Sequence, residues 1–199
     1  MKKTAFSTQD HAQYIIENCI VIDTETTGLE DNDIAIELAA ADAKTGTEII
    51  DTLIHCEWGE VPAEAFAVHG IGIKDLKNAP RAASVIAQLT NAASNNHKQI
   101  TAYNIHFDNR MLLQTAEAND LCNERIEHAM GAQLCIMELA NRHFLKDYGV
   151  WKHGHSQFSR LSLVRCCEIA GIKFQGKAHR AMSDVRASID LLHFIANDR

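Results

Sequence analysis

Short apolar runs separated by polar turns occupy the first third of the chain. The run at residues 18–24 is rich in Ile and Val and predicts a strand inside a sheet. Residues 26–32 contain a glycine and predict a turn, after which residues 33–43 and 47–56 predict two further strands. The second and third runs are joined by A-K-T-G, which is typical of a hairpin. Because short turns join all three runs, we expect the sheet to begin with antiparallel strands.

Helical spacing of apolar residues dominates the rest of the chain. Val85 and Leu89 lie on one face of a helix that begins at Pro80, and residues 99–103 predict another strand. Further helices are predicted over residues 107–118, 134–145, 159–170 and 182–197. The glycine-containing segment 146–158 is predicted to be a mobile loop. Antiparallel strands followed by strands alternating with helices predict an α/β fold.

The chain is predicted to form one domain preceded by a helix. That N-terminal helix covers residues 7–17, with Ser7 or Thr8 as its cap. A length of 199 residues is enough for one domain with a sizeable core, and it is too short to predict two domains. We therefore interpret residues 1–17 as a helical extension and residues 18–199 as a single domain.

The composition is that of an ordinary globular protein, with 46% hydrophobic and 23% charged residues. No run is long enough to cross a bilayer, and the N-terminal sequence is too polar for the core of a signal peptide. The six cysteines show no Cys-x-x-Cys spacing, which indicates reduced thiols rather than a disulfide framework or a zinc site. We therefore predict a cytoplasmic protein that does not use a membrane.

Charge is unevenly distributed along the chain. The formal net charge of −7 argues mildly against nucleic acid as a partner. The stretch from Trp151 to Arg180 nevertheless carries six basic residues and one acid, Glu168. These bases either cover solvated helix faces or contact a phosphate backbone, in which case Lys177 and Arg180 are the expected contacts.

Two carboxylates stand at the end of the first predicted strand, in the sequence V-I-D-T-E-T-T-G-L. The two-residue period of a strand places Asp23 and Glu25 on one face, where like charges repel. Burying them costs several kcal/mol unless a cation is present. Asp108 and Asp184 begin predicted helices, where an acidic residue by itself is explained by the helix dipole.

Together the four carboxylates predict a site for divalent cations, because each lies at the end of an element that the fold can bring to one point. Oxygen ligands suit Mg²⁺ or Mn²⁺. Two such ions about 4 Å apart can flank one phosphodiester. His179, five residues before Asp184, would then accept a proton from the attacking water as general base.

Three sequence motifs resemble those of the DEDDh, or DnaQ-like, 3′–5′ exonucleases, which have a ribonuclease H-like fold. They are V-I-D-T-E-T-T-G-L with Asp23 and Glu25, N-I-H-F-D with Asn104 and Asp108, and H-R-A-M-S-D with His179 and Asp184. The motifs follow the family's order, and the similarity is nearest to small bacterial exonuclease X and to epsilon-type proofreading exonucleases of DNA polymerase III. The resemblance implies a mixed five-stranded sheet, with three antiparallel strands first, flanked by helices.

The resemblance implies a role for each residue of these motifs. The implied catalytic residues are Asp23, Glu25, Asp108, His179 and Asp184, of which the four carboxylates bind metal. Asp23, Glu25 and Asp184 would hold the tighter ion, and Asp23 with Asp108 would hold the second. Glu37 stands where the family's second strand usually has a glutamate, and no catalytic role is implied for it.

A second set of residues is expected to contact the 3′-terminal nucleotide. These residues are Thr26, Leu29, Val68, His69, Ile71, Asn104 and Phe107. Three of them have a structural alternative. His69 can be a structural histidine, Asn104 can brace the turn before the helix, and Phe107 can pack in the core.

The implied activity is a 3′–5′ exonuclease that uses two Mg²⁺ or Mn²⁺ ions and releases nucleoside 5′-monophosphates from single-stranded 3′ ends. DNA is favoured, in proofreading or repair, because the similarity is nearest to DNA exonucleases; trimming of RNA uses the same carboxylates and stays open. A non-catalytic nucleic-acid-binding module of the same fold is the alternative from another class. Homodimer formation and binding to a polymerase or another replication or repair protein also stay open.

Overall fold

The computed structural model describes residues 7–57, 60–145, 161–176 and 178–198, and the predicted mobile loop at 146–158 lies outside them. The strands are β1 Cys19–Thr26, β2 Ala35–Asp42, β3 Glu48–Leu53 and β4 Gln99–Ala102. The helices are α1 Thr8–Asn18, α2 Ala63–His69, α3 Ile73–Leu76, α4 Ala82–Asn95, α5 Ile105–Glu117, α6 Glu124–Met130, α7 Ile136–Phe144, α8 Leu163–Ala170 and α9 Ala181–Asn197.

Four strands form one mixed sheet in the described residues, in the order β3-β2-β1-β4. β1 pairs antiparallel with β2, β2 pairs antiparallel with β3, and β1 pairs parallel with β4. The α/β class, the antiparallel start and the internal position of β1 are confirmed. The described residues do not form the fifth strand that the resemblance implies, and outside the four strands they contain a parallel bridge between Ala102 and Cys135. The bridge is not extended because the chain enters α7 directly after Cys135.

Alternate residues of β1 pack against different helices on the two faces of the sheet. Cys19 and Val21 are buried in a cluster with residues of α1, α7, α8 and α9. Ile20 and Ile22 are buried on the other face with residues of α4, α5 and α6. Burial on both faces gives a three-layer structure with β1 at its centre. Asp23 and Glu25, the first two predicted carboxylates, lie on the same face of β1 as Val21.

Helix α1 packs against α9 and shares its core. Its N-terminus is closed by a capping box, in which Ser7 Oγ accepts from Asp10 N (3.0 Å) and Ser7 N donates to Asp10 Oδ2 (3.1 Å). Ala12, Ile15 and Ile16 are buried in the cluster that contains the apolar face of α9. The predicted N-terminal helix is therefore confirmed, and its apolar side is covered.

Three short helices, α2, α3 and α6, form where the hydrophobic pattern predicts no element. Helix α2 follows Pro62 and ends at Gly70, whose φ of 77° closes the helix in the left-handed conformation. The helix predicted over residues 159–170 begins at Leu163 in the described part of the chain. Among the helices described here, none combines the length and apolar character needed to cross a bilayer.

Candidate active site

The end of β1 and the first turn of α9 bring three carboxylates together. Glu25 pairs with Glu37 on β2, and Asp23 lies two residues earlier on the same face of β1. Asp184 lies in the first turn of α9, which packs on this face. One carboxylate oxygen from each of Asp23, Glu25 and Asp184 lies within 4.8 Å of the other two. The structure therefore assembles the three acids expected to hold the tighter metal ion.

Asp108 reaches the site from α5, which packs on the opposite face of the sheet. It is 3% exposed, and its Oδ1 accepts hydrogen bonds from Thr24 N (3.1 Å) and Thr24 Oγ1 (2.9 Å). The side chain of Thr24 points away from the face that carries Asp23 and Glu25. Asp23, Thr24 and Glu25 are successive residues of β1 that contact acids from both helical layers. Thr24 holds Asp108 of α5, and Asp23 and Glu25 lie beside Asp184 of α9.

His179 precedes α9 and lines the same cavity as the carboxylates. It is exposed, and its φ of 62° lies in the left-handed region, which histidine tolerates better than most residues. Close by in the same cavity wall, Asp184 has a buried Oδ1 that makes no hydrogen bond with any of the described residues. A buried carboxylate oxygen without a donor is costly unless a cation contacts it.

Burial and mutual repulsion raise the pKa values of the acids on β1. The pKa of Asp23 lies well above its usual range because of burial first and then because of the charges of Asp108 and Asp184. Burial, followed by the charge of Asp184, raises the pKa of Glu25 to about 8. These carboxylates resist ionising together, and a divalent cation among them would stabilise the charged forms.

The acids on the two helices show smaller rises. Burial raises the pKa of Asp108 to about 7, against the opposing effect of its hydrogen bonds from Thr24. Burial raises the pKa of Asp184 to about 6, while His179 opposes this rise through its charge and its backbone N–H. His179 and Asp184 are therefore electrostatically linked across the start of α9.

The donor set fits hard divalent cations. Among the residues that the structure describes, the convergent group consists of carboxylate oxygens without sulfur or imidazole ligands, and oxygen ligands of this kind suit Mg²⁺ and Mn²⁺. The unpartnered Oδ1 of Asp184 provides an acceptor that a cation would satisfy. The arrangement can hold a cation next to a phosphodiester and place His179 beside both.

A cavity of about 650 Å³ opens over the carboxylates, and all five predicted catalytic residues line it. The predicted nucleotide contacts that line it are Thr26, Leu29, Val68, His69, Asn104 and Phe107. Ile71 lies elsewhere, since it is 4% exposed and packs with Ile34, Ile36 and Leu76. The structure therefore does not bring Ile71 to the site.

Both ring nitrogens of His69 are bonded to backbone. Its Nδ1 accepts a hydrogen bond from Ile71 N (3.0 Å), so Nε2 carries the proton and donates to Thr26 O (3.2 Å). Burial lowers the pKa of His69, which keeps the ring neutral. His69 thus ties the end of β1 to the segment after α2, and no ring nitrogen is left for a sugar or phosphate.

The loop after β1 forms one wall of the cavity. Asp33 accepts hydrogen bonds from Thr27 Oγ1 (2.6 Å) and Glu30 N (2.8 Å) inside this loop. A Cβ on Gly28 would lie 2.4 Å from Asp33 Oδ2, so any larger residue would displace the loop. The loop presents Leu29, which is 69% exposed, at the cavity.

Three further predicted contacts complete the wall. Asn104 lies at the N-cap position of α5 but makes no capping hydrogen bond with its side chain. Phe107 is half-buried, and the guanidinium of Arg110 lies 5.6 Å from its ring centroid. Val68 is exposed. The wall therefore combines apolar surface with an amide, as expected for contact with a base and its sugar.

Sequence reasoning gave no role to two residues that support the site, Thr24 and Glu37. Thr24 holds Asp108, and its signal is its place between two carboxylates on a strand. Glu37 is a buried acid within the apolar run of β2, and its carboxylate bonds Arg180 at distances of 2.5 to 3.3 Å. Arg180, one of the two expected phosphate contacts, makes this ion pair with a side chain that is 48% exposed, and its contact with a phosphate backbone stays a prediction. Lys177, the other expected phosphate contact, lies outside the described residues.

The mixed α/β fold and the carboxylate site fit a nuclease with a ribonuclease H-like fold. The sequence matches the RNase_T family of exonucleases over residues 20–192, and the chain belongs to this family. A curated relative, the uncharacterized exonuclease CP81 of Escherichia phage 186, is 26% identical over 184 residues, which are 92% of this chain and 91% of the relative.

Solved structures of exonuclease I share the fold. The E. coli enzyme in complex with a dT13 oligonucleotide gives a TM-score of 0.69 at 17% identity over 90% of this chain. Exonuclease I from Methylocaldum szegediense gives a TM-score of 0.68 at 20% identity over 92% of this chain. The chain spans about two fifths of these proteins, 41% of each.

Proposed function

We propose that this chain is a Mg²⁺- or Mn²⁺-dependent 3′–5′ exonuclease that releases nucleoside 5′-monophosphates from single-stranded DNA. One observation carries the proposal: oxygens of Asp23, Glu25 and Asp184 lie within 4.8 Å of one another. Asp108 and His179 line the same cavity. Membership of the exonuclease family supports a nuclease activity. The 3′–5′ direction, the single-stranded DNA substrate and the metal-dependent mechanism are our proposal.

The carboxylates are the proposed metal ligands. Asp23, Glu25 and Asp184 would hold one divalent cation, and Asp23 with Asp108 would hold a second. The unpartnered Oδ1 of Asp184 and the raised pKa of Glu25 support a cation at this place. When bound, the cations neutralise the acids, lower the pKa of water and stabilise charge on the leaving oxygen.

The other residues position the substrate and move one proton. The imidazole of His179 lies in the cavity wall, where it accepts the proton of the attacking water. Thr24 keeps Asp108 in place through two hydrogen bonds. Leu29 and Phe107 offer apolar surface to the terminal base.

Single-stranded DNA is the proposed substrate because of the resemblance to DNA exonucleases and because of the fold shared with exonuclease I. The solved E. coli structures include complexes with dT13 and dA16 oligonucleotides. RNA 3′ ends are the alternative substrate. A homodimer and a polymerase partner stay predictions of the resemblance, and a cytoplasmic location stays a prediction from the composition.

Digestion of a single strand labelled at either end tests direction, product and cation together. With Mg²⁺ or Mn²⁺, the 3′-labelled strand is expected to yield labelled mononucleotide at once. The 5′-labelled strand is expected to yield a ladder of shortened products. Competition between matched DNA and RNA strands assigns the sugar. Absence of hydrolysis with both ions, or immediate release of a 5′ label, contradicts the proposal.

Two substitutions test the assigned roles. His179→Ala removes the proton acceptor and Asp23→Ala removes a metal ligand, so each is expected to lower kcat by at least about 10²-fold. Asp190→Ala is the matched control, because Asp190 lies on α9 but does not line the cavity. Circular dichroism checks that each variant is folded. Wild-type rates in a folded His179→Ala or Asp23→Ala variant would refute the roles.

A further inference from the structure

Strand β2 carries a glutamate beside the metal-binding acids that the proposed mechanism does not use. Glu37 is 2% exposed and pairs with Glu25 across the sheet. A carboxylate buried next to another must be compensated by a cation or by hydrogen-bond donors. Its partners in the described residues come from one place, the start of α9.

Arg180 and Ala181 provide this compensation. Nε of Arg180 lies 3.1 Å from Oε1 and 3.3 Å from Oε2 of Glu37, and Nη2 lies 2.5 Å from Oε1. Ala181 N donates to Oε2 at 3.1 Å. The planar guanidinium and a backbone N–H of the first turn of α9 are therefore held by one carboxylate. Such a contact restricts both the distance and the direction of the bonded groups.

This contact lies between two residues of the catalytic set. His179 directly precedes Arg180, and Asp184 N donates to Arg180 O at 3.2 Å one turn later. His179 has a φ of 62°, which is uncommon for a residue other than glycine and persists only where neighbours hold it. A firmly held Arg180 therefore determines where both flanking groups lie.

We infer that Glu37 is a positioning residue: through Arg180 and Ala181 it holds the start of α9 and thereby places His179 and Asp184 in the site. Neither Glu37 nor Arg180 lines the cavity, so both act through other residues. The kinetic part of this inference rests on the proposed function. A displacement of about 1 Å at a reacting group can cost about 10²-fold in rate.

Glu37→Gln and Arg180→Lys test the inference in complementary ways. The first keeps an acceptor oxygen and removes the charge, whereas the second keeps a charge and removes the planar fork. Each is expected to lower kcat on single-stranded DNA by about 10- to 100-fold while KM changes by less than about threefold. The double variant is expected to be no slower than the slower single variant, because both changes break one link.

An ion pair on the same helix provides matched controls. Arg186 Nη2 lies 3.3 Å from Glu48 Oε2, between α9 and strand β3, and neither residue lines the cavity. Glu48→Gln and Arg186→Lys are therefore expected to keep the wild-type kcat and KM. Thermal unfolding of all variants shows which are folded, and a Glu37→Gln variant that does not fold leaves Arg180→Lys as the test.

Two kinetic results overturn the inference. The first is a wild-type kcat in a folded Glu37→Gln or Arg180→Lys variant. The second is an unchanged kcat with a raised KM and a weaker salt dependence in Arg180→Lys, because a direct phosphate contact gives that result.

Failure of the proposed function is distinguishable, since the wild-type protein itself would then leave DNA intact. In that case the NMR signals of the His179 imidazole test the positioning directly. They are expected to shift or broaden in Glu37→Gln and to stay unchanged in Glu48→Gln. Identical His179 signals in the wild type and Glu37→Gln overturn the inference without reference to activity.

Discussion

Asp184 lies where a helix N-terminus meets a group of carboxylates. The helix dipole explains an acid in the first turn of α9 and contributes about 0.3–1 kcal/mol. That contribution is too small for this site, because burial still raises the pKa of Asp184 to about 6. Its Oδ1 also lacks a partner in the described residues. A bound cation would contact the unpartnered Oδ1 and would lower the raised pKa, neither of which a capping role does.

The raised pKa values predict that the metal-free protein becomes less stable as the pH rises. The pKa values of Glu25, Asp108 and Asp184 are about 8, 7 and 6, all above those of the unfolded chain. The folded state therefore binds more protons between about pH 4.5 and 8, and this stabilisation is present at low pH and lost with increasing pH. We expect the Tm of EDTA-treated protein to fall by at least about 5 °C from pH 5 to pH 8.

Metal and a substitution provide the controls for this pH dependence. Excess Mn²⁺ is expected to raise the Tm more at pH 8 than at pH 5, because the acids then bind the ion without competing protons. Asp184→Asn is expected to flatten the pH dependence, because an amide does not titrate. A Tm of the metal-free protein that stays constant or rises from pH 5 to pH 8 contradicts this account.

Helix α5 serves the site with two of its faces. One face delivers Asp108, while Arg110 and Gln114 hold the loop after β1 from outside. Arg110 Nη2 donates to Leu29 O at 3.0 Å, and Gln114 Nε2 donates to Glu30 O at 3.0 Å. The cavity wall that presents Leu29 therefore depends on side chains one helical turn apart on α5.

Arg110→Ala is expected to weaken substrate binding more than catalysis. The substitution removes the bond to Leu29 O and the contact with the Phe107 ring, so the wall loses its fixed shape before substrate binds. We expect KM for single-stranded DNA to rise about threefold to tenfold, with kcat within about twofold. Steady-state kinetics measure both values.

Arg142→Ala is the control for this prediction. Arg142 lies on α7 in an exposed ion pair with Glu138 at 3.6 Å, away from the cavity wall. Exposed pairs of this kind contribute little, so both kinetic constants are expected to stay at the wild-type values. A change in kcat alone in Arg110→Ala would contradict a role in the wall.

At the scale of the whole molecule, α1 covers the apolar side of α9, the helix that delivers Asp184. Ile16 is 3% exposed and lies in the cluster shared with α9, whereas Tyr14 on the same helix is 50% exposed. The stability of the helical layer that contains α9 is therefore expected to depend on α1, although residues 1–17 are predicted to be an extension of the domain.

Ile16→Ala is expected to lower the free energy of unfolding by about 2–5 kcal/mol, because it leaves a cavity between α1 and α9. Tyr14→Ala is expected to change it by less than about 0.5 kcal/mol, since that side chain is half exposed. Urea unfolding measures both, and one cooperative transition in the wild type would show that α1 unfolds with the domain. An effect of Ile16→Ala as small as that of Tyr14→Ala would favour a separable extension.

Local patterns were sufficient for the long elements and for the acids on β1. Apolar periodicity predicts β1 and α9 because each buries a continuous face, and the same period places Asp23 and Glu25 side by side. Helix α2 escapes prediction because its seven residues bury only His69 and so carry no repeating apolar face. Its Pro62 and Gly70 are the signals that could have identified it.

By itself the sequence determined the class of fold, the order of the three motifs and the strand face that carries the first two acids. Only the tertiary structure decided which partners these groups have. Arg180 meets Glu37 across 143 residues of sequence, and Thr24 meets Asp108 across 84. A periodic pattern specifies which side of an element is buried, whereas the donor that satisfies a given carboxylate depends on how separate elements pack.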